Sequence, residues 1–97
     1  MNQSIPDMSD TKKTITLAEL FLPGCHICEA FEQYWHSIEK DWPNVMFSKI
    51  DSTTEEGMAL AQKHQIFVAP GIFLNGELWS SGGFDKKEFV LKLTELS

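Results

Sequence analysis

The chain is 97 residues long, 42% hydrophobic and 23% charged, which fits one small globular domain and excludes a disordered segment. Its 8 basic residues are all Lys, and 14 acids outnumber them to give a net charge of −6 and a pI near 4.9. Such a chain is repelled by phosphate backbones and anionic lipid, and no uncharged apolar run is long enough to cross a bilayer, so nucleic acid and membrane are excluded as expected partners.

Residues 1–12 mix Asn, Gln, Ser, Pro and Asp without periodicity, and a flexible tail is expected there ahead of a single domain, 13–97. The tail lacks the basic-then-apolar order of a secretory signal, so the expected compartment is the reducing cytoplasm. Residues 15–22 are β-branched at first and nearly all apolar, as in a strand covered on both faces, and Pro23-Gly24 ends them. Ile27, Phe31, Tyr34, Trp35, Ile38 and Trp42 then recur at helical spacing up to Pro43. Residues 45–50 read as a second strand with Val45, Phe47 and Ile50 inward. Thr53 with Glu56 forms a capping box that opens a second helix, running to about His64, in which Gly57 is an unfavourable residue.

Ile66, Phe67 and Val68 lead into Ala69-Pro70-Gly71 and a strand at 72–74. Asn75-Gly76 is a type I′ hairpin signal, because both turn positions want positive φ, and 77–80 return as the partner strand. Gly82-Gly83 breaks that strand. Asp85 with Glu88 caps a last helix whose core stripe is Phe89, Val90, Leu93 and Leu96. The order is β-α-β-α-β-β-α, with the first two strands parallel through a right-handed crossover and the last two antiparallel.

The chemistry centres on Cys25 and Cys28, the two cysteines of the chain, in a C-x-x-C. A loop this short removes little unfolded-state entropy, so stapling the fold is not its expected purpose. Cys25 falls at a strand-to-helix junction, where free N–H groups and the positive helix end favour a thiolate; a protonated His26 would favour it further, and Glu29 would oppose it. Cys28 lies one turn on, on the same face and within bridging reach. The pair reads as an exposed attacker and a shielded resolver. Glu19, inside an apolar strand six residues before Cys25, is either a buried carboxyl suited to acid–base work or a strand-end residue reaching solvent.

The chain resembles the thioredoxin superfamily over essentially all of residues 13–97. The resemblance rests on Cys25-His26-Ile27-Cys28, Lys49-Ile50-Asp51, Ile66 through Pro70, Asn75-Gly76-Glu77 and Gly82-Gly83-Phe84-Asp85. It implies an α/β thioredoxin-like fold, a four-stranded mixed sheet with helices on both faces. It also implies that Pro70 is cis and faces Cys25, that Glu19 stands where thioredoxins carry a buried proton-moving Asp, and that substrate docks along Val68, Ala69 and Pro70. Length, element order and the Gly82, Gly83 and Asp85 loop look like glutaredoxin and its glutathione grip. Against that, residues 20–24 hold no basic group for the tripeptide's carboxylate, Val68-Ala69 replaces the usual Thr-Val, and His26-Ile27 matches neither subfamily.

The expected function is therefore thiol–disulfide exchange on a protein disulfide, by a monomer with no bound cofactor or metal. Reducing power comes from an external thioredoxin-reductase-like protein or from glutathione, since no Walker loop or dinucleotide fingerprint is present. A glutathione-dependent glutaredoxin and a redox-inert binding module stay open as rivals. Zinc on Cys25, Cys28, His36 and His64 fits no finger spacing, and a glutathione-bridged iron–sulfur cluster shares the arguments against glutathione. His36 and His64 are expected to be solvated, and Trp79 and Phe84 to pack the hairpin or line a groove.

Overall fold

The computed structural model describes residues 12–97, so the tail expected at 1–12 lies, apart from Lys12, outside the described residues. The elements follow the expected order: β1 (Ile15–Phe21), α1 (His26–Ile38), a single 3-10 turn (Glu39–Asp41), β2 (Val45–Asp51), α2 (Glu55–His64), β3 (Gly71–Leu74), β4 (Glu77–Ser81) and α3 (Lys86–Leu96). The strands form one sheet in the order β2-β1-β3-β4. β1 runs parallel to β2 and antiparallel to β3, and β3 and β4 form the hairpin.

Side-chain alternation along β1 decides which residues meet which helix. Ile15 and Leu17 join Ile72 and Leu74 of β3 on one face, where Phe31 and Trp35 of α1 and Phe89 and Leu93 of α3 cover them. Phe31 makes edge-on contacts with Phe84 at 5.1 Å and Phe89 at 5.4 Å, so α1 and α3 are locked together by aromatic rings. Leu20 and Phe73 face the other way, towards α2, whose His64 meets the Phe73 ring edge-on at 4.9 Å. His64 is thus half-buried against the sheet rather than solvated as expected.

Three further expectations shift. Trp42 packs on the core but lies outside α1, because the residue before Pro43 is sterically barred from helical geometry; its φ and ψ are −129° and 62°. Ile27, in the first turn of α1, is 45% exposed, so it is not part of the core stripe. The cap of α2 is Thr54, not Thr53. Thr53 is consumed by Asp51, whose Oδ1 accepts from both its N–H (2.8 Å) and its hydroxyl (2.7 Å). Thr54 is therefore left to accept from the Gly57 N–H at 3.0 Å. Gly57, unfavourable by propensity, is required by space: a Cβ there would run into the Asp51 carbonyl oxygen and Ser52 Cα.

The turn at Asn75-Gly76 has the expected positive φ angles, 53° and 82°. It is also tied to the start of β1, since Asn75 N–H donates to Thr16 O at 2.9 Å and Asn75 Oδ1 accepts from Thr16 N at 3.0 Å. Across the hairpin Ile72 pairs with Ser80 but Phe73 with Leu78, so Trp79 is an extra residue in β4. Its ring turns in to meet Phe89 at 5.5 Å.

Candidate active site

β1 ends at Phe21, and the chain turns through Pro23 and Gly24, the latter at φ 83°, with Cys25 N–H donating to Leu22 O at 3.0 Å. That turn delivers Cys25 as the N-cap of α1. Its Sγ accepts the Cys28 N–H at 3.1 Å, the role a Ser or Asp oxygen plays at other helix starts. Cys25 is partly exposed; Cys28, one turn on, is 1% exposed, and both thiols are free. Burial, and then the hydrogen bond with Cys25, push the Cys28 thiol up to about 12. The two cysteines thus differ in access as their positions predict. His26 is exposed, and no hydrogen bond or ion pair joins it to Cys25 among the described residues.

Glu19 is fully buried on the α1 side of the sheet, with neither carboxyl oxygen receiving a donor among the described residues. Its neighbour is a second carboxyl, Glu32 of α1, within hydrogen-bonding reach. Two carboxylates cannot hydrogen-bond each other; a proton on one makes the other an acceptor. Burial above all, then Glu32, pushes the Glu19 carboxyl up from its ordinary value of 4.5 to about 9, against a smaller pull from Lys49. Glu19 therefore holds its proton at neutral pH. Glu32, partly exposed, accepts instead from Lys49 Nζ at 3.0 Å. Lys49 comes from β2, and its ammonium also sits 4.4 Å from the centre of the Phe21 ring. Cys25, Cys28, Glu29, Glu32 and Lys49 share a cleft of about 200 Å³ at the end of β1.

The segment before β3 lies at the same end of the sheet, because Leu20 of β1 pairs with Gly71. The Ala69–Pro70 peptide is cis. Gly82 N–H donates to Pro70 O at 2.9 Å and Ser81 Oγ to Val68 O at 3.1 Å, so Val68, Ala69, Pro70 and Gly82 are brought together. A Cβ at Gly82 (φ 84°) would press on the Val68 side chain. Asp85 is drawn elsewhere: its Oδ1 caps α3 by accepting from Glu88 N at 2.9 Å. Val68 and Ala69 line a second, more apolar cleft of about 160 Å³ with Leu22 and Phe67, and Phe67 is 90% exposed.

Other candidates are not brought to the cysteines. His36 pairs with Glu39 at 3.1 Å near the far end of α1, and His64 lies on the opposite sheet face. Trp79 and Phe84 pack into the α1–α3 cluster rather than line the groove. The residues that sequence reasoning missed are Glu32 and Lys49. The first had a signal, since it lies four residues after Cys28 and so on the same helical face.

No protein-family model and no curated sequence matches the chain. Solved structures do. A thioredoxin of Fasciola hepatica superposes with a TM-score of 0.68 at 19% identity, covering 92% of this chain and 86% of its own. This is a thioredoxin fold. A reduced Schistosoma mansoni thioredoxin (TM-score 0.68, 17% identity, 92% of this chain and 85% of its own) agrees. So does oxidised mitochondrial thioredoxin 3 of Saccharomyces cerevisiae, at TM-score 0.68 and 17% identity over 87% of this chain and 80% of its own. Within the thioredoxin fold the C-x-x-C of this chain occupies the strand-to-helix junction described above.

Proposed function

We infer that the protein is a thiol–disulfide oxidoreductase acting through Cys25 and Cys28. The observation that carries this reading is the asymmetry of the pair: an accessible sulfur at a helix N-terminus, hydrogen-bonded by the amide of Cys28, beside a buried thiol one turn away. Cys25, as thiolate, attacks a substrate disulfide; its Sγ–S bond forms, the substrate S–S bond breaks, and one substrate thiolate leaves. Cys28 then attacks Cys25 Sγ, giving the Cys25–Cys28 disulfide and releasing the second substrate thiolate, while the Cys28 proton passes to the carboxyl network at Glu19. An external dithiol reduces the pair again.

The substrate is a protein disulfide flanked by apolar residues. Ala69 makes no backbone hydrogen bond among the described residues, so its N–H and C=O are free to pair with an extended segment, and Leu22, Phe67 and Val68 offer an apolar rim. The reductant is a dithiol protein rather than glutathione. The ammonium nearest the cysteines, Lys49, is engaged by Glu32, and the Asp85 carboxylate is engaged as a helix cap. The expected setting is a reducing compartment such as the cytoplasm, where such a pair is kept poised for exchange.

A redox titration of the Cys25–Cys28 pair tests the reading, followed by trapping with Cys28→Ser. A reversible two-electron exchange and mixed disulfides on Cys25 are expected. A pair with no reversible exchange would assign the fold to binding alone.

A further inference from the structure

Resolution leaves a problem of proton accounting. Cys28 must lose a proton as it attacks, yet its neighbour Glu19 already carries one at neutral pH and has no free charge with which to accept another. The groups able to take the surplus are few. Around Glu19 stand Cys25, Cys28 and Glu32 from α1 and its N-cap, and Lys49 from the paired rung of β2; β3 presents Ile72 in register, and α3 covers this face with Phe89 and Leu93. Lys49 is a cation and accepts nothing. Glu29 lines the same cleft but is exposed and does not bear on Glu19, so among the described residues Glu32 is the acceptor that adjoins both the buried carboxyl and solvent.

Resting on the oxidoreductase reading, we propose that Glu32 is the outlet of a two-carboxyl proton relay, taking a proton from Glu19 as Glu19 takes one from Cys28, with Lys49 holding the Glu32 carboxylate in place. The geometry is specific. Glu19 has no other polar partner for its two oxygens among the described residues. Glu32 is tethered by Lys49 Nζ at 3.0 Å, with Glu32 and Lys49 side chains 19% and 41% exposed. Glu32, Lys49 and both cysteines line one cleft.

The step balances. Before it, Cys28 is a thiol, Glu19 a carboxylic acid and Glu32 a carboxylate. The Cys28 sulfur attacks Cys25 Sγ, the Cys25–substrate S–S bond breaks, and the substrate sulfur departs with the bonding pair as a thiolate. The Cys28 proton moves to one oxygen of Glu19 while the proton on the other moves to Glu32. Glu19 ends as it began, protonated, and Glu32–COOH returns its proton to solvent or to the departing thiolate. No charge is created on the buried carboxyl at any point, which avoids the cost of an ionised group without a donor. Glu32 is a positioning and relay residue, since it acts through Glu19 and touches neither sulfur.

The test uses the full chain and a chromophoric aromatic disulfide, followed by stopped flow as two phases, attack by Cys25 and release by Cys28. Wild type, Glu19→Gln, Glu32→Gln and the double variant are compared across pH. The relay predicts that Glu32→Gln leaves attack within about 2-fold and slows release at pH 7 by roughly 10²-fold, the usual scale for losing acid–base assistance. The double variant should be no slower than the slower single one, because the two carboxyls act in series. Release in Glu32→Gln should also become steeply pH-dependent, climbing as Glu19 loses its own proton. Release within 2-fold of wild type in Glu32→Gln, or multiplicative losses in the double variant, would overturn the relay. Should Glu32→Gln fail to fold, Glu32→Ser removes the same carboxylate with a smaller side chain, and the same outcomes decide. Loss of reversible exchange in the wild-type pair would sink the oxidoreductase reading itself; an intact pair with an indifferent Glu32 sinks only the relay.

Discussion

Glu19 and Lys49 occupy the same rung of the parallel β1–β2 ladder, yet the lysine is bonded to Glu32, at 3.0 Å, and leaves Glu19 without a donor. A buried carboxyl passed over by the cation beside it is held neutral. That single choice of partner sets both the acid–base character of the site and part of the stability of the fold.

Stability should fall as pH rises. The folded-state value of Glu19 is raised to about 9 from 4.5, so between those limits the folded protein holds a proton that the unfolded chain has released. The unfolded state then binds fewer protons, and unfolding free energy declines with a limiting slope of about 1.4 kcal/mol per pH unit. The contribution is intact below the lower value and fully lost above the upper one. Glu19→Gln removes the slope, and its amide can donate to Glu32 as the protonated acid does. Urea unfolding should show the variant gaining on wild type with rising pH, by on the order of 3 kcal/mol at pH 7. Parallel pH profiles for the two proteins would mean that Glu19 ionises normally.

Alkylation should distinguish the cysteines. At pH 8 a thiol raised to about 12 is ionised to roughly one part in 10⁴. Cys28 is also sealed from solvent, whereas Cys25 is accessible. A short iodoacetamide pulse read by mass spectrometry should label Cys25 at least roughly 10²-fold faster. Comparable labelling of both would contradict the attacker and resolver roles.

The two threonines before α2 should separate cleanly. Thr54→Ala removes the acceptor for Gly57 N–H and should cost about 1 kcal/mol. Thr53→Ala loses a side-chain bond to Asp51 at an exposed turn and should cost less. Equal losses in urea midpoints would return the cap to Thr53.

Gly57→Ala should be harmful even though alanine is the better helix former. The new methyl meets main-chain atoms of Asp51 and Ser52, which cannot swing aside as a side-chain tip would. The expected loss is about 1–3 kcal/mol by unfolding. A stabilised variant would show that α2 can move off β2 freely.

Added glutathione should leave the amide resonances of Val68, Ala69, Gly82 and Gly83 in place. A dithiol should reduce the oxidised pair much faster than glutathione at equal thiol concentration. Saturable shifts at those four residues would move the protein to the glutaredoxin reading.

The architecture was legible in the sequence wherever a pattern was local. A nearly continuous apolar run marked β1, the 3.6-residue stripe marked α1 and α3, Asn75-Gly76 marked the hairpin, and Asp85 was correctly the cap of α3. The failures share a cause: they depend on atoms brought from elsewhere in the chain. Thr53 satisfies the capping pattern as well as Thr54, and only the Asp51 side chain decides between them. Gly57 looks like a defect until β2 is laid against it. Glu32 shares a helical face with Cys28, but helical spacing does not record that a buried carboxyl waits opposite it. Ile27 keeps helical phase with the core, yet in the first turn of α1 it stays 45% exposed, which phase alone does not record.

The extra residue in β4 bears on how the chain avoids sticking to itself. Among the described residues the four-stranded sheet ends at β2 on one side and β4 on the other, and a straight edge is a template on which another chain can add a strand. At β4 the insertion of Trp79 breaks the regular spacing of hydrogen-bonding groups and turns a large ring inward, and Gly82 at φ 84° ends the strand soon after. That edge is short and bent. The other edge is β2, which carries the charged side chains of Lys49 and Asp51, and charge on an edge strand resists the addition of another chain. Fibril-type growth is thus opposed by shape on one flank and by charge on the other.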